Sequence, residues 1–247
     1  MIAAASAAAL VGVALVVAMA ATVQLTAGFG FGLSAVPLLA LVLDPHDAVV
    51  LALTLATFTN GYQAWTGRRH ADRAVVARLL GGAAAGLPVG LLVFLRVEDR
   101  VLSAIIGVAV LVAVAMIARG LDLRHAGPGL DVAGGLLTGA LTMSAGVNGP
   151  PMVFVLQARH FDPARFRATI TTVFFTLDVV SVAAFSATGD LDGGVLVAVA
   201  ASLPGLALGA LAGLALRRRL DARRFRHVVL TLLGVAGASA LVAAVSG

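Results

Sequence analysis

The chain has no cysteine and no lysine, a single tryptophan, a single tyrosine, and charge on only 12% of its 247 residues. Without cysteine there is no disulfide, no thiolate metal site and no cysteine nucleophile. Without lysine or a Walker-type glycine loop, no ATP site is expected. The histidines, His46, His70, His125, His160 and His227, fall in or beside loops and form neither an HExxH pattern nor a paired helical face. An intramembrane metalloprotease is therefore not expected, and neither a metal nor a cofactor is assigned. One Trp and one Tyr also give no strong aromatic belts.

The scarcity of charge excludes more. A soluble domain carries roughly 25% charged residues, whereas 60% of this chain is hydrophobic and its mean hydropathy is +1.05. Several runs of about 20 apolar residues match the ~30 Å hydrocarbon core of a bilayer. The fold class read from this is an all-α polytopic membrane protein with the lipid bilayer as a partner, and soluble enzyme folds are excluded. The isoelectric point of 11.3 arises from 17 arginines set against 12 acids. Spread over short loops, these arginines read as topology signals and form no basic stripe for nucleic acid.

The first charged side chain is Asp44. No basic region precedes the first apolar run, so that run is expected to stay in the mature protein. Apolar segments lie near 2 to 27, 31 to 43, 47 to 66, 75 to 95, 101 to 118, 130 to 147, 150 to 158, 168 to 188, 194 to 216 and 227 to 245. Eight are long enough to span; 31 to 43 and 150 to 158 are not.

Each short segment follows a long one across a break, Gly28-Phe29-Gly30-Phe31-Gly32 in one case and Gly146-Val147-Asn148-Gly149-Pro150-Pro151 in the other. At an offset of 118 residues Asp44-Pro45 falls on Asp162-Pro163, Asn60 on Asp178 and Asp72 on Asp190. Pro88 falls near Pro204 and Asp99-Arg100 near Asp221-Ala222-Arg223 at slightly different offsets, and the two prolines read as kinks or hinges. The chain reads as duplicated, with one repeat over 1–122 and a second over 129–247 in one integral membrane domain.

Arginine-rich loops 68 to 73, 119 to 125, 159 to 167 and 217 to 226 go inside by the positive-inside rule, and loops 44 to 47 and 189 to 193, which carry only acids, go outside together with the neutral loop 96 to 100. Equivalent loops then face opposite sides, so the repeats are inverted. Each contains a broken, re-entrant helix pair plus three spanning helices, about eight full spans and two half-helices in all, with both termini outside. A rival count treats each broken pair as one crossing and gives parallel halves of four.

Breaks in transmembrane helices mark sheltered cavities, because hydrocarbon penalises unsatisfied backbone groups by several kcal/mol each. The half-helices beginning near Gly32 and Pro150 present N-termini that favour anions, and paired discontinuous helices in inverted repeats are a secondary-transporter layout. The candidate substrate-binding set is Gly28, Phe29, Gly30, Phe31, Gly32 and Ser34 from the first half. Thr142, Ser144, Gly146, Asn148, Gly149 and Pro150 come from the second. Glycines would bare the backbone, Phe29 and Phe31 would wall a cavity, Asn148 would cap the second half-helix, and the hydroxyls would donate. The competing reading is tight helix packing by small residues.

The residues 28 to 39, GFGFGLSAVPLL, and 138 to 151, TGALTMSAGVNGPP, resemble those of the sulfite exporter TauE/SafE family, also known as the toluene sulfonate uptake permease family. The resemblance covers nearly the whole chain. It implies a multi-pass permease of the bacterial inner membrane that moves sulfite, sulfonates or related small anions. The family's glycine-rich stretches map onto Gly28 to Pro37 and Gly146 to Pro151, the second reading GVNGPP here rather than a run of glycines.

Asp178 lies in mid-segment, where insertion of a carboxylate costs about 2.5 to 3.5 kcal/mol; its counterpart is Asn60. Two readings stand side by side, a proton-coupling carboxyl and an interhelical hydrogen-bonding residue. Arg68, Arg69, Arg217, Arg218 and Arg219 read as topology determinants, with attraction of anions to the inner mouth as the alternative. Arg78 reads as snorkelling to the interface. The expectation is a secondary transporter and not an enzyme, acting on a small sulfur-containing anion by alternating access. A permease for another organic anion and a non-catalytic membrane partner are the alternatives; direction, coupling ion and homo-oligomer formation stay open.

Overall fold

The computed structural model describes residues 7–119, 127–157, 159, 161–217, 234, 238 and 242. Among these all regular structure is helical: α1 (Ala7–Ala27), α2 (Phe31–Leu39), α3 (Pro45–Gly67), α4 (Arg73–Arg96), α5 (Asp99–Arg119), α6 (Pro128–Ala145), α7 (Gly149–Gln157), α8 (Pro163–Thr188) and α9 (Gly193–Leu216). Both breaks fall where the glycines stand. Gly28 and Gly30, with φ of 91° and 105°, turn the chain from α1 into α2, and Gly146, with φ of 64°, ends α6. A side chain would make these left-handed conformations costly.

Four helical stretches, Leu10–Ala27, Arg73–Arg96, Pro163–Thr188 and Gly193–Leu216, are long and apolar enough to cross a membrane. Large apolar side chains stand exposed around the periphery, among them Leu92, Val108, Leu137, Leu208 and Leu211. Water disfavours such a surface and lipid accepts it, as befits a multi-pass membrane protein. The expected span 227 to 245 lies largely outside the described residues, as does most of the 217 to 226 loop with Arg218 and Arg219, and most of the 119 to 125 loop.

Three helix pairs make the bundle: α4 against α6, α1 against α9, and α3 against α8. The first two are built alike. A Cβ on Gly82, Gly86 or Gly90 of α4 would stand 2.0 to 2.3 Å from the carbonyl oxygens of Val132, Leu136 and Ala140. A Cβ on Gly205, Gly209 or Gly213 of α9 would stand 2.0 to 2.7 Å from those of Ala14, Ala18 and Thr22. Small residues let backbones touch where lipid supplies no hydrophobic drive between helices. Thr22 and Thr26 add hydroxyl bonds across the α1–α9 seam, to the carbonyls of Gly209 at 3.1 Å and Gly213 at 3.2 Å.

These contacts correct two sequence alignments. The carbonyls on α1 and α6 match at an offset of 118, but the glycines on α4 and α9 match at 123. Pro88 sits between two glycines of its stripe while Pro204 precedes the first glycine of the other, so the prolines are not equivalent. The cap of α4 is Asp72, accepting from the Ala74 and Val75 amides, and the corresponding cap of α9 is Asp192, accepting from Val195. Asp190 instead takes a bond from the Thr188 hydroxyl. Helix contacts tolerate a shift in loop length, and a fixed sequence offset does not.

The loops gather at two ends. His46 bonds Asp99 at 2.6 Å and the Phe94 carbonyl at 2.8 Å, and Asp47 lies within electrostatic reach of Asp44 and Asp192. Loops 44 to 47, 96 to 100 and 189 to 193 thus gather at one end. At the other, Arg165 pairs with Asp72, and Arg78 and Arg159 converge on buried Asp131 at 2.6 and 2.7 Å. Arg78 therefore turns inward to a carboxylate at the foot of α6 instead of snorkelling out.

Candidate functional site

The two breaks meet in the centre of the bundle. A Cβ on Gly32 would stand 1.9 Å from the Gly146 carbonyl oxygen, and one on Gly146 would stand 2.9 Å from Val36. Such an approach leaves backbone groups of both breaks inside the protein, where each needs a partner.

Gln24, fully buried on α1, supplies them for the first break. Its Oε1 accepts from the Phe31 amide at 3.0 Å, the donor that α2 cannot satisfy itself. Its Nε2 donates to Asn60 Oδ1 at 2.5 Å and reaches the Gly28 carbonyl at 3.4 Å. Gln63, a turn beyond Asn60 on α3, donates to the Gln24 backbone carbonyl at 3.1 Å.

The network continues across the α3–α8 contact. Asn60 Nδ2 donates to Asp178 Oδ2 at 2.7 Å, and Asn148, in the second break, turns its amide to Asp178 Oδ1 at 3.5 Å. Asp178 is fully buried. Among the described residues its side-chain partners are these two neutral amides, and no arginine pairs with it. One carboxyl, two asparagines and a glutamine thus join both breaks to both central helices. In such low-dielectric surroundings each of these bonds carries more weight than it would in water.

The remaining predicted site residues lie around this network. The hydroxyls of Ser34, Thr142 and Ser144 donate to backbone carbonyls of their own helices, to Gly30 at 2.6 Å, Thr138 at 2.7 Å and Ala140 at 2.8 Å. Phe31 is buried, and Phe29 packs edge-on against Phe166, with ring centroids 6.4 Å apart. Space beside Gly28 is filled by the Arg167 side chain, whose Cγ lies 2.5 Å from where a Cβ would stand. Gly30 and Gly149 keep more room, with the nearest atoms at 3.2 and 3.6 Å. Pro150 falls in the first turn of α7, which starts at Gly149. Among the described residues no three His, Asp or Glu converge as metal ligands.

Sequence reasoning passed over Gln24, Gln63, Asp131 and Arg167. Gln24 carried a signal: it is the one glutamine within the long apolar run before the first break. Asp131 and Arg167 sit at segment ends and look like ordinary loop charges. Only packing shows that the first is buried and the second lies against a break.

A family model described as sulfite exporter TauE/SafE matches residues 13–240. The chain is 27% identical over 231 residues, covering 90% of each chain, to a protein of Cupriavidus necator described as a probable sulfite/organosulfonate exporter TauE. No solved structure matches it. The chain belongs to the sulfite exporter TauE/SafE family, whose members are membrane transporters and not enzymes.

Proposed function

We propose that this protein is a secondary transporter of a small sulfur-containing anion, sulfite or an organosulfonate, in the bacterial inner membrane. Its substrate passes between the two broken-helix tips, Gly28 to Ser34 and Thr142 to Pro150, and access alternates as residues 1–122 and 129–247 move against each other. The observation that carries the reading is the meeting of both breaks at Gly32 and Gly146, beside a network that ends on Asp178. Discontinuous helices that meet at a central polar site are the layout of transporters built from inverted repeats.

Inversion needs a duplication first, and the exchange of partners supports one: α1 packs on α9 as α6 packs on α4, through glycine stripes against matching carbonyls. Inversion itself is supported by the gathering of the acidic loops 44 to 47 and 189 to 193 with the neutral loop 96 to 100 at one end, away from the loops with a net positive charge, which puts equivalent loops at opposite ends. Asp178 is the group through which a proton gradient would drive the anion.

Proteoliposomes loaded with 35S-sulfite test the function. Saturable efflux, competed by organosulfonates, is expected. Absence of flux for sulfite, thiosulfate, sulfonates and carboxylates alike would leave a non-catalytic membrane role. Reporter fusions test the topology: the 189 to 193 loop and both termini should report outside, and an inward C-terminus would favour parallel halves.

A further inference from the structure

Below the first break, at the arginine-bearing end, the bundle encloses a cavity of about 310 Å³ whose polar lining comes chiefly from Tyr62, Gln63, His70, Arg167, Thr171 and Arg217. We infer that this cavity is a two-arginine capture site for a sulfonate or sulfite monoanion, distinct from the broken-helix tips and loaded from the cytoplasmic side. The inference rests on the transport reading for its role and on the side chains for its chemistry.

The arginines are the first reason. Several guanidinium groups at this end are spoken for, Arg78 and Arg159 by Asp131, Arg165 by Asp72, and Arg68 by the Trp65 carbonyl and ring, while Arg69 and Arg73 stand exposed at the surface and do not line the cavity. Among the described residues no hydrogen-bond or ion-pair partner meets the side chain of Arg167 or Arg217, and the two lie within electrostatic reach of each other. Among the described residues the cavity lining contains no carboxylate. Asp162, within electrostatic reach of Arg167, is committed to the Ala164 and Arg165 amides as the cap of α8. Two guanidiniums within electrostatic reach of each other repel, Asp162 offsets that repulsion only in part, and an oxyanion with three oxygens relieves it while taking several of their donors.

Gln63 is the second, independent reason. It is 9% exposed and lines the cavity. Its Nε2 is committed to the Gln24 carbonyl, and its Oε1 is buried with no partner among the described residues. An unpaired buried acceptor calls for a donor. A turn of the Gln63 amide toward the cavity would let a monoanion that carries a hydrogen of its own, such as hydrogensulfite or a hydroxyl-bearing sulfonate, answer the arginines with its oxygens and Gln63 Oε1 with its hydrogen.

The position gives the site its role. The Arg167 stem fills the space beside Gly28, so the side chain that would hold the anion also covers the first break. Movement of Arg167 with its anion would uncover the backbone at Gly28 and pass the substrate inward.

Calorimetric titration of the purified full-length protein with methanesulfonate and hydroxymethanesulfonate decides it. Arg217→Gln, at an exposed position that folding tolerates, should weaken both ligands about tenfold, as should Arg167→Gln. Arg167→Lys, which keeps a cation and most of the stem, should lose less, and Arg68→Gln should bind as wild type does. Hydroxymethanesulfonate should bind more tightly than methanesulfonate, and Gln63→Leu should erase that difference. Unchanged binding in both Arg217→Gln and Arg167→Gln would overturn the site even where liposome flux proves the transport reading sound. Arginine-dependent binding in a protein that carries no flux would uphold the site and sink the transport reading instead.

Discussion

Asn60 and Asp178 stand 118 residues apart in the chain and touch in the middle of the bundle, the asparagine amide donating to the carboxyl at 2.7 Å. In the proposed duplication they are also each other's counterparts. Residues at equivalent positions of two repeats meet only near the axis that relates the repeats, so under the proposed duplication this contact would mark the centre about which the halves turn. An acid on one side and an amide on the other break the symmetry there. Among the described residues, that asymmetry leaves Asp178 as the titratable group of the central network.

The Asp178 variants separate coupling from structure. Asp178→Ala removes the acceptor for Asn60 Nδ2 and leaves a buried donor unpaired, at a cost of about 1 to 3 kcal/mol; its thermal midpoint in detergent should fall. Asp178→Asn keeps an acceptor oxygen for Asn60 and loses titration. It should insert and bind anion nearly as wild type does while losing accumulation driven by a pH gradient. Gradient-driven uptake that persists in Asp178→Asn would reduce Asp178 to an interhelical hydrogen-bonding residue.

The breaks predict opposite outcomes for two glycines of the tips. Gly32→Ala would force a methyl group against the Gly146 carbonyl, 1.9 Å away, and neither backbone can yield without parting the half-helices. Little folded protein should survive size-exclusion chromatography. Gly149→Ala meets only Phe29 at 3.6 Å and should fold normally; Gly149→Leu should then fold and lose flux. Normal flux in Gly149→Leu would move the substrate path away from the tips.

Neighbouring glycines on α4 give an internal control for the helix seam. Gly82→Ala places a Cβ 2.0 Å from the Val132 carbonyl, an overlap that costs at least about 1 to 3 kcal/mol. Gly81→Ala meets nothing within 4 Å and exchanges a poor helix former for a good one. Denaturation in mixed micelles should show Gly82→Ala destabilised and Gly81→Ala equal to or slightly above wild type. Equal stability of the pair would refute close α4–α6 backbone contact.

Asp131 ties the foot of α6 to Arg78 of α4 and to Arg159 beyond α7, with its carboxyl fully buried between them. Asp131→Asn leaves two partly buried guanidiniums facing an amide, and breaking such a pair costs about 3 to 5 kcal/mol where burial is complete. Arg78 is one-third exposed, so the loss should fall near the lower figure, read as a drop in unfolding midpoint. Asn at 131 with unchanged stability would mean that water already screens the triad.

The sequence by itself determined the membrane, the helices and the breaks. Low charge and long apolar runs leave few other solutions, and glycines placed between a long and a short run end a helix wherever the chain puts them. The 118-residue offset was legible because Asp-Pro helix starts repeat, and it found Asn60 and Asp178. Only the tertiary structure decided what closes the first break. Gln24 serves Phe31, Asn60 and Gly28 at once because three helices converge on it, and no local pattern encodes convergence. Packing alone likewise decided that Asp192 and not Asp190 matches Asp72, since caps follow helix ends while sequence offsets accumulate loop-length differences. The same holds for the arginines. On paper Arg159 and Arg167 are loop charges, Arg78 a snorkelling residue and Arg217 a topology determinant; the fold gives Arg78 and Arg159 a buried carboxylate and leaves Arg167 and Arg217 lining a cavity, because charge is a property of the residue and neutralisation is a property of its neighbours.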